Sequence, residues 1–359
     1  MIYSHRRQKA VNLLSELDLD AVVFCQPENI RYLCGFTGSD GVLIATPDSF
    51  IFLTDSRYTT QAHDEVLADC IDEYKIKAEG VIAQLIASGV TRIGFESEIP
   101  FSLLNEFQEK GEPDWEWLHF RDELQSLRLH KSADEISLID SAASLNLAGF
   151  TEIEEMLRPG VRENEVALAL EFAMRKLGAE EKAFDIIVAS GVRGALPHGI
   201  ASNKILADGE LVTIDFGCRL SGYHSDETVT FALGKVSDEL RTIYDTVLEA
   251  HDRALQAVAP GVPLIELDRI ARDHIKSCGY GDYFGHGLGH GIGLEVHEAP
   301  VLSPRSKAIA EEGMVFTIEP GVYVPGVGGV RIEDIVLVTA DGHETLTKIP
   351  KTFRNILLN

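Results

Sequence analysis

Four acidic residues occupy matched positions in two similar stretches of the chain and are the first candidates for chemistry. The segment GELVTIDFG aligns with GMVFTIEPG, so Asp215 and Glu319 occupy equivalent positions in the alignment. Two later segments, HSDETVTFAL and GVRIEDIVLV, carry Asp226 and Glu333. Ionised carboxylates are costly to bury unless cations or hydrogen-bond donors compensate them. A single acid on a strand usually faces solvent or pairs with a basic residue, but four acids in matched positions favour bound metal ions.

Histidines accompany the acids in both stretches. His198 in LPHG and His297 in EVHE lie at comparable places in the two stretches. His286 and His290 belong to GHGLGHGIG, where glycine at alternate positions excludes a stable helix. The glycines predict an extended strand that other backbone approaches closely, and the run matches no nucleotide-binding pattern. An oxygen-rich site with one imidazole suits Mn²⁺, Co²⁺ or Zn²⁺.

The elements that must position these groups also repeat. A long amphipathic helix over 134–157 ends in RPGV, and a second helix ends at Gly178, since glycine is common just past a helix end. The pattern returns with a helix that begins after Ser237, a favourable N-cap residue, and ends in APGV. The helix that follows ends at Gly279. Two similar α+β halves that face each other would bring four carboxylates and two histidines to a shared centre.

The chain of 359 residues is long enough for two domains. Residues 1–125 alternate between helical and strand-like segments, which predicts an α/β domain. Within them, the stretch 29–40 (NIRYLCGFTGSD) is turn-rich. A polar segment over 121–134 is the best candidate for the junction, and residues 130–359 form the second predicted domain.

Composition limits the partners and the compartment. Acidic residues outnumber basic ones by 57 to 32, so nucleic acid and anionic membrane surfaces are repelled over most of the protein. The five cysteines are widely spaced and form no Cys-x-x-Cys pair, which argues against a disulfide framework or a thiolate zinc site. No segment has the uninterrupted apolar core of a signal peptide or a membrane span. These features predict a cytoplasmic protein.

Together the motifs carry a family resemblance. The order PHG, IDFG, SDETVTF, GHGLGHGIGLEVHE, TIEPG and VRIED resembles the pita-bread metallopeptidases, which include aminopeptidase P, prolidase and methionine aminopeptidase, and the metal-free creatinases. The N-terminal NIRYLCGFTGSD and FLTDSRYTTQA resemble the first domain of aminopeptidase P and prolidase, which methionine aminopeptidases generally lack. The resemblance implies an α/β N-terminal creatinase-like domain and an α+β pita-bread catalytic domain with an internal pseudo-two-fold duplication.

The resemblance also implies a site for two divalent metal ions, with Mn²⁺ or Co²⁺ favoured over Zn²⁺. Asp215 and Glu333 would bridge both ions, and Asp226 would complete the coordination of one of them. His290 and Glu319 would complete the coordination of the other. Two neighbouring cations can lower the pKa of a bridging water to near neutrality. The metal-free creatinases lack this ligand set, and non-catalytic relatives on the same fold typically lose ligands. Because all five ligand positions and both paired histidines are present here, a metal-dependent hydrolase is the better interpretation than a non-catalytic binding protein.

Further roles follow from the same resemblance. Glu319 would move the proton from the attacking water to the leaving nitrogen. His198 and His297 would donate hydrogen bonds to the substrate and the tetrahedral intermediate. Arg331 shares a strand face with Glu333 and would support the bridging carboxylates, while His286 would form part of the substrate pocket wall.

The resemblance to the two-domain members of the family, aminopeptidase P and prolidase, implies that the substrates are peptides with proline in the second position. Prolidases of this family commonly have an arginine directly after the HExP segment, which can hold the free carboxylate of a dipeptide. Here HEAP is followed by Val301, and Arg305 is a possible substitute. We therefore expect release of the first residue from Xaa-Pro peptides, as in aminopeptidase P, with Xaa-Pro dipeptidase activity as the alternative. The resemblance further implies a homodimer.

Overall fold

The computed structural model describes residues 2–356 and divides into two compact units between Arg128 and Leu129. The final part of the predicted catalytic domain, residues 357–359, lies outside the described residues. All five cysteines are free. Within residues 2–356, no helix is both long and apolar enough to cross a membrane.

The N-terminal unit is built around one mixed sheet. Its strands β1 to β6 are Ala21–Phe24, Val42–Ala45, Phe50–Thr54, Cys70–Glu73, Arg92–Glu96 and Glu116–Phe120. They lie in the order β4-β3-β2-β1-β5-β6, with β2 antiparallel to both of its neighbours and the remaining pairs parallel. The helices α1 to α6 are Ile2–Glu16, Pro27–Cys34, Thr59–Glu65, Lys77–Ser88, Phe101–Lys110 and Asp122–Gln125. The strands β1, β2 and β3 are buried along their whole length, as in a sheet covered on both faces.

A helix occupies the first half of the stretch that we described as turn-rich. The helix α2 begins at Pro27, a residue tolerated in the first turn because that position needs no N–H donor. It ends at Gly35, which adopts the left-handed conformation with φ of 90°. The buried Leu33 fixes the helix to the core. The turn-forming residues therefore end the helix instead of preventing it.

The C-terminal unit contains two α+β halves. Its helices α7 to α10 are Ala133–Ile153, Glu163–Lys176, Asp238–Gln256 and Leu264–Ser277. Its strands β7 to β19 are Glu181–Lys182, Ile187–Ser190, Glu210–Phe216, Cys218–Leu220, Tyr223–His224, Glu227–Leu233, Gly289–Gly291, Glu298–Leu302, Val315–Ile318, Gly321–Val324, Gly328–Arg331, Asp334–Thr339 and Gly342–Thr345. Ser237 caps α9 as predicted, with its hydroxyl accepting from the Leu240 amide at 3.2 Å. Gly178 and Gly279 follow α8 and α10 with positive φ, also as predicted.

The two halves repeat the same strand arrangement, which confirms the predicted duplication. The first half (residues 133–233) has the sheet order β12-β9-β8, and the second half (residues 238–339) has β18-β15-β13 within a five-stranded sheet. The strands β9 and β15 are each antiparallel to both neighbours. Each half packs its two helices on its own apolar core. The halves meet where the Glu333 amide donates to the Thr228 carbonyl at 3.2 Å.

Candidate metal centre

A cavity of about 790 Å³ opens in the C-terminal unit, and most of the predicted site residues line it. The lining includes the four matched acids, four histidines and one arginine, namely Asp215, Asp226, Glu319, Glu333, His198, His286, His290, His297 and Arg331. Tertiary structure therefore brings together groups that lie up to 135 positions apart in the numbering. Of the predicted residues, Arg305 alone is not part of the lining within the described chain.

The strand ends of the two halves position the acids. Asp215 lies near the end of β9, and Asp226 immediately precedes β12, which runs antiparallel beside it. In the second half, Glu319 directly follows β15 and Glu333 directly precedes β18. In an antiparallel pair the end of one strand lies beside the start of the next, so each half places two carboxylates at one edge of its sheet.

His290 lies among these acids. Its Nε2 is 3.7 Å from Asp226 Oδ2 and 3.4 Å from Glu319 Oε1. Donor atoms of Asp226, His290 and Glu333 lie within 4.8 Å of one another, a spacing that could hold a metal ion. The other ring nitrogen, Nδ1, lies 3.1 Å from the Gly291 carbonyl. This backbone contact fixes the ring orientation and leaves Nε2 for a ligand role, as is common for metal-binding histidines.

Three buried carboxylate oxygens without a hydrogen-bond partner in the described part of the chain show that the residues fit divalent cations. Asp215 Oδ1, Asp226 Oδ1 and Glu333 Oε1 are buried and have no hydrogen-bond partner among the described residues. The pKa values of Asp226 and Glu333 are raised well above their usual range, mainly by burial and secondly by repulsion from neighbouring carboxylates. Burial raises the pKa of Glu319 to about 8. Divalent cations would compensate this charge, and oxygen-rich sites with one imidazole suit them.

The glycine-rich run approaches other backbone closely, as predicted. A Cβ atom at Gly289 would overlap the Thr317 carbonyl, and one at Gly291 would overlap the Ala299 carbonyl. Glycine at these positions lets β13 lie between its two neighbours. The Thr317 hydroxyl accepts from the His290 amide at 3.1 Å, which fixes the backbone of the candidate ligand.

Arg331 connects one acid to the pocket wall. Its guanidinium pairs with Asp215 and donates to the Tyr323 hydroxyl at 2.8 Å. His286 Nε2 lies 3.0 Å from the same hydroxyl, and burial lowers the pKa of His286 to about 4. Our sequence reasoning missed Tyr323. In the sequence, Tyr323 is marked only by lying four positions after Glu319, and its partners become apparent only in the structure.

His198 lies on a loop that a buried acid closes at its base. Glu163 of α8 is fully buried and accepts from the amides of Ser190 and Ser202 at 2.9 and 3.2 Å. Both serine hydroxyls and Arg193 also donate to this carboxylate. Glu163 thus joins the two ends of the loop that presents His198 to the cavity. No spacing pattern in the sequence points to this role.

An acid on the corresponding helix of the second half supports the loop that carries His286. Asp268 of α10 accepts from the Leu288 amide at 3.1 Å. Arg272, paired with Asp268, donates to the His286 carbonyl at 2.7 Å. This pair holds the backbone that leads into His290, and our sequence reasoning missed it as well.

The position after HEAP is an apolar part of the cavity. Val301 lies opposite His290 in the β13–β14 pair, so both side chains are on the same face of the sheet. Val301 is 58% exposed and lines the cavity. His297, which also lines it, has its ring centroid 4.2 Å from that of His290. Arg305 is exposed, and its role as a substitute cation stays a prediction.

Comparisons with known proteins agree with this architecture. The model of metallopeptidase family M24 matches residues 137–340, and that of the creatinase/prolidase N-terminal domain matches residues 6–130. An Xaa-Pro dipeptidase of Pyrococcus furiosus is 40% identical over 96% of this chain and 97% of its own. The structure of an Xaa-Pro dipeptidase from Bacillus anthracis has a TM-score of 0.95 and 41% identity, covering 98% of this chain and 99% of that one. An X-Pro aminopeptidase from Thermotoga maritima has a TM-score of 0.86 and 38% identity, covering 96% and 99%.

Proposed function

The chain belongs to metallopeptidase family M24, and on that basis we propose that it is a divalent-metal-dependent Xaa-Pro dipeptidase. The preferred sequence prediction, aminopeptidase P-like release of the first residue, is not confirmed. Full-length similarity to Xaa-Pro dipeptidases favours the alternative. The observation that carries a hydrolytic role is the convergence of four carboxylates and His290 on one cavity.

The residues of this cavity have separate proposed roles in hydrolysis, namely metal binding and proton transfer. Asp215, Asp226, His290, Glu319 and Glu333 would hold two ions, with Mn²⁺ or Co²⁺ favoured over Zn²⁺. Bound cations supply Lewis-acid polarisation and lower the pKa of a coordinated water. The Glu319 carboxylate takes the proton from the attacking water and delivers it to the proline nitrogen as the peptide bond breaks.

Other side chains orient the substrate. His198 and His297 donate hydrogen bonds to the substrate and to the oxyanion of the tetrahedral intermediate. Arg331 holds Asp215 in place through its ion pair and fixes Tyr323 through a hydrogen bond. His286 supports the same hydroxyl from the pocket wall.

Substrate length separates the two candidate activities. The aminopeptidase alternative is favoured by one observation, the apolar Val301 beside His290 where a cation could hold a dipeptide carboxylate. The test compares turnover of Xaa-Pro dipeptides with that of Xaa-Pro-Yaa tripeptides by the Mn²⁺-loaded protein. Faster hydrolysis of dipeptides supports our proposal, and turnover of tripeptides alone would replace it by the aminopeptidase. Cleavage of Met-Ala peptides without cleavage of Xaa-Pro peptides would contradict both.

Two further features stay predictions. The family resemblance implies a homodimer, which analytical ultracentrifugation would test, and the cysteine content together with the absence of a signal-peptide pattern predicts a cytoplasmic location, which cell fractionation would test. Metal content after purification without chelator, followed by activity after addition of Mn²⁺ or Co²⁺, tests the cofactor assignment.

A further inference from the structure

Two buried acids directly follow two of the proposed metal ligands, one in each half. Glu227 follows Asp226 at the start of β12, and Asp334 follows Glu333 at the start of β18. Glu227 is 0% exposed and Asp334 is 5% exposed. Neither belongs to the cavity lining, because successive residues of a strand point to opposite faces. The ligands therefore face the cavity and their neighbours face away from it.

One lysine contacts both of these acids. Lys351 Nζ lies 2.6 Å from Glu227 Oε1 and 3.4 Å from Asp334 Oδ1. Its side chain is 8% exposed, so water screens the charges little. A single ammonium group thus joins the first half to the second directly behind the candidate metal centre.

Neighbouring residues of the C-terminal segment reinforce this connection. The Ile349 amide donates to Glu227 Oε1 at 3.1 Å, and the Thr347 hydroxyl donates to Asp334 Oδ1. The Lys351 carbonyl accepts from the Tyr244 hydroxyl at 2.8 Å, which fixes the segment to α9. We call Thr347, Ile349 and Lys351 the C-terminal clasp.

We propose that Lys351 is a positioning residue for metal binding. By holding Glu227 and Asp334 together, it sets the separation between Asp226 of the first half and Glu333 of the second half. The metal donor atoms of the two halves must keep a fixed spacing, and groups that orient ligands from behind contribute strongly to metal affinity. The inference rests on the proposed metal centre and adds a role for the last described part of the chain.

The test measures Mn²⁺ affinity directly. Free Mn²⁺ is followed by its electron paramagnetic resonance signal during titration of the full-length protein, a readout that requires no turnover. We expect Lys351→Met to weaken Mn²⁺ binding by about 10- to 100-fold. Lys348→Met is the matched control, because Lys348 lies in the same segment but forms an exposed ion pair with Asp140.

A second variant separates positioning from stability. Lys351→Met alone leaves the buried Glu227 carboxylate without a compensating charge, which destabilises the fold. The double variant Glu227→Gln, Lys351→Met removes both charges and keeps an oxygen acceptor for the Ile349 amide. We expect the double variant to recover thermal stability while Mn²⁺ binding stays weak.

The outcomes distinguish the two proposals. Wild-type Mn²⁺ affinity in the folded double variant would overturn the role of Lys351 and leave the proposed metal centre intact. Absence of Mn²⁺ binding by the wild-type protein itself would overturn both. Weak binding in both Lys351 variants, with normal binding in Lys348→Met, supports the inference.

Discussion

In the first half of the C-terminal unit, Phe150 of α7 packs against Phe216 and Phe231 in an apolar core. In the second half, the corresponding position of α9 is His251, whose Nε2 lies 3.1 Å from Asp334 Oδ2. Each of these residues precedes the proline of its PGV motif by the same interval. The duplicated fold therefore carries an acid at each matched position of its cavity side, whereas this matched position on the opposite side differs in chemical type. The cavity side keeps the acids in register in both halves, whereas behind the cavity the first half has an aromatic cluster at this position and the second half has a charged contact to Asp334.

The supports of the two histidine-bearing loops show a second difference. Glu163 closes the loop of His198, which we propose as a substrate-binding residue. Asp268 supports the backbone between His286 and the proposed ligand His290. A buried acid on the second helix of each half thus supports a loop that carries a cavity histidine; in our proposal that histidine binds substrate in the first half and leads to a metal ligand in the second.

Substitution of matched acids tests whether the halves are equivalent at the metal centre. We expect Asp226→Asn and Glu333→Gln each to weaken Mn²⁺ binding and to lower kcat/KM by more than about 100-fold, because each removes a negative charge from a proposed ligand. Metal analysis and steady-state kinetics measure the effect. Asp245→Asn, at an exposed acid on α9, is the control. Normal metal binding in either ligand variant would show that the halves do not contribute equally.

The paired histidines should affect turnover but not metal content. We expect His297→Ala and His198→Ala to lower kcat by about 10²- to 10³-fold with both metals retained, since their proposed role is to stabilise the developing oxyanion. Metal analysis beside kcat measurement separates this role from a ligand role. Unchanged turnover in His297→Ala would remove it from the mechanism.

The loop supports should have different consequences in the two halves. We expect Glu163→Gln to lower kcat about 10-fold with Mn²⁺ affinity unchanged, because it loosens only the loop of His198. Asp268→Asn should instead weaken Mn²⁺ binding by a similar factor, about 10-fold, through the backbone before His290. Asp273→Asn, at an exposed acid on α10, is the control. Equal effects of the two variants on metal binding would contradict the division of roles.

The smallest expected effect is a pH dependence of stability that arises from His251, the histidine whose matched position in the first half is Phe150. Burial tends to lower the pKa of His251, but hydrogen bonds and charges of Asp252 and Asp334 outweigh it and raise the pKa. A raised pKa in the folded state gives stability that is fully present below the unfolded value of about 6.5 and is lost as pH rises through the folded value. Urea unfolding in the presence of EDTA measures the free energy of unfolding of the wild type and of His251→Gln. The difference between these two free energies should therefore shrink as pH rises above about 6.5. A constant difference across that range would indicate that His251 does not titrate with folding.

Local patterns predicted much of this protein because they reflect short-range rules. The repeated helix ends at Gly178 and Gly279 follow from left-handed backbone that glycine accepts readily. The matched acids follow from strand register. The preference for aminopeptidase activity rested on the single position Val301, and one absent cation is weaker evidence than similarity along the whole chain.

Other features depend on contacts between distant segments and leave no spacing signal. Glu163 reaches Ser202, and Lys351 reaches Glu227, across stretches whose lengths no periodicity fixes. Tyr323 likewise gains its partners only when β16 lies beside the loop of His286.

The sequence by itself determined the chemical types at the cavity, the duplicated elements and the family, because residue identity and strand alternation are properties of short segments. Only the tertiary structure decided which oxygens lack partners, how closely His290 approaches Asp226 and which lysine lies behind the acids. These distances arise when the two halves pack together. The physical reason is that the burial of a charge and the spacing of donor atoms depend on the whole fold. The alternation of side chains along a strand, by contrast, depends only on residues that are close together in the chain.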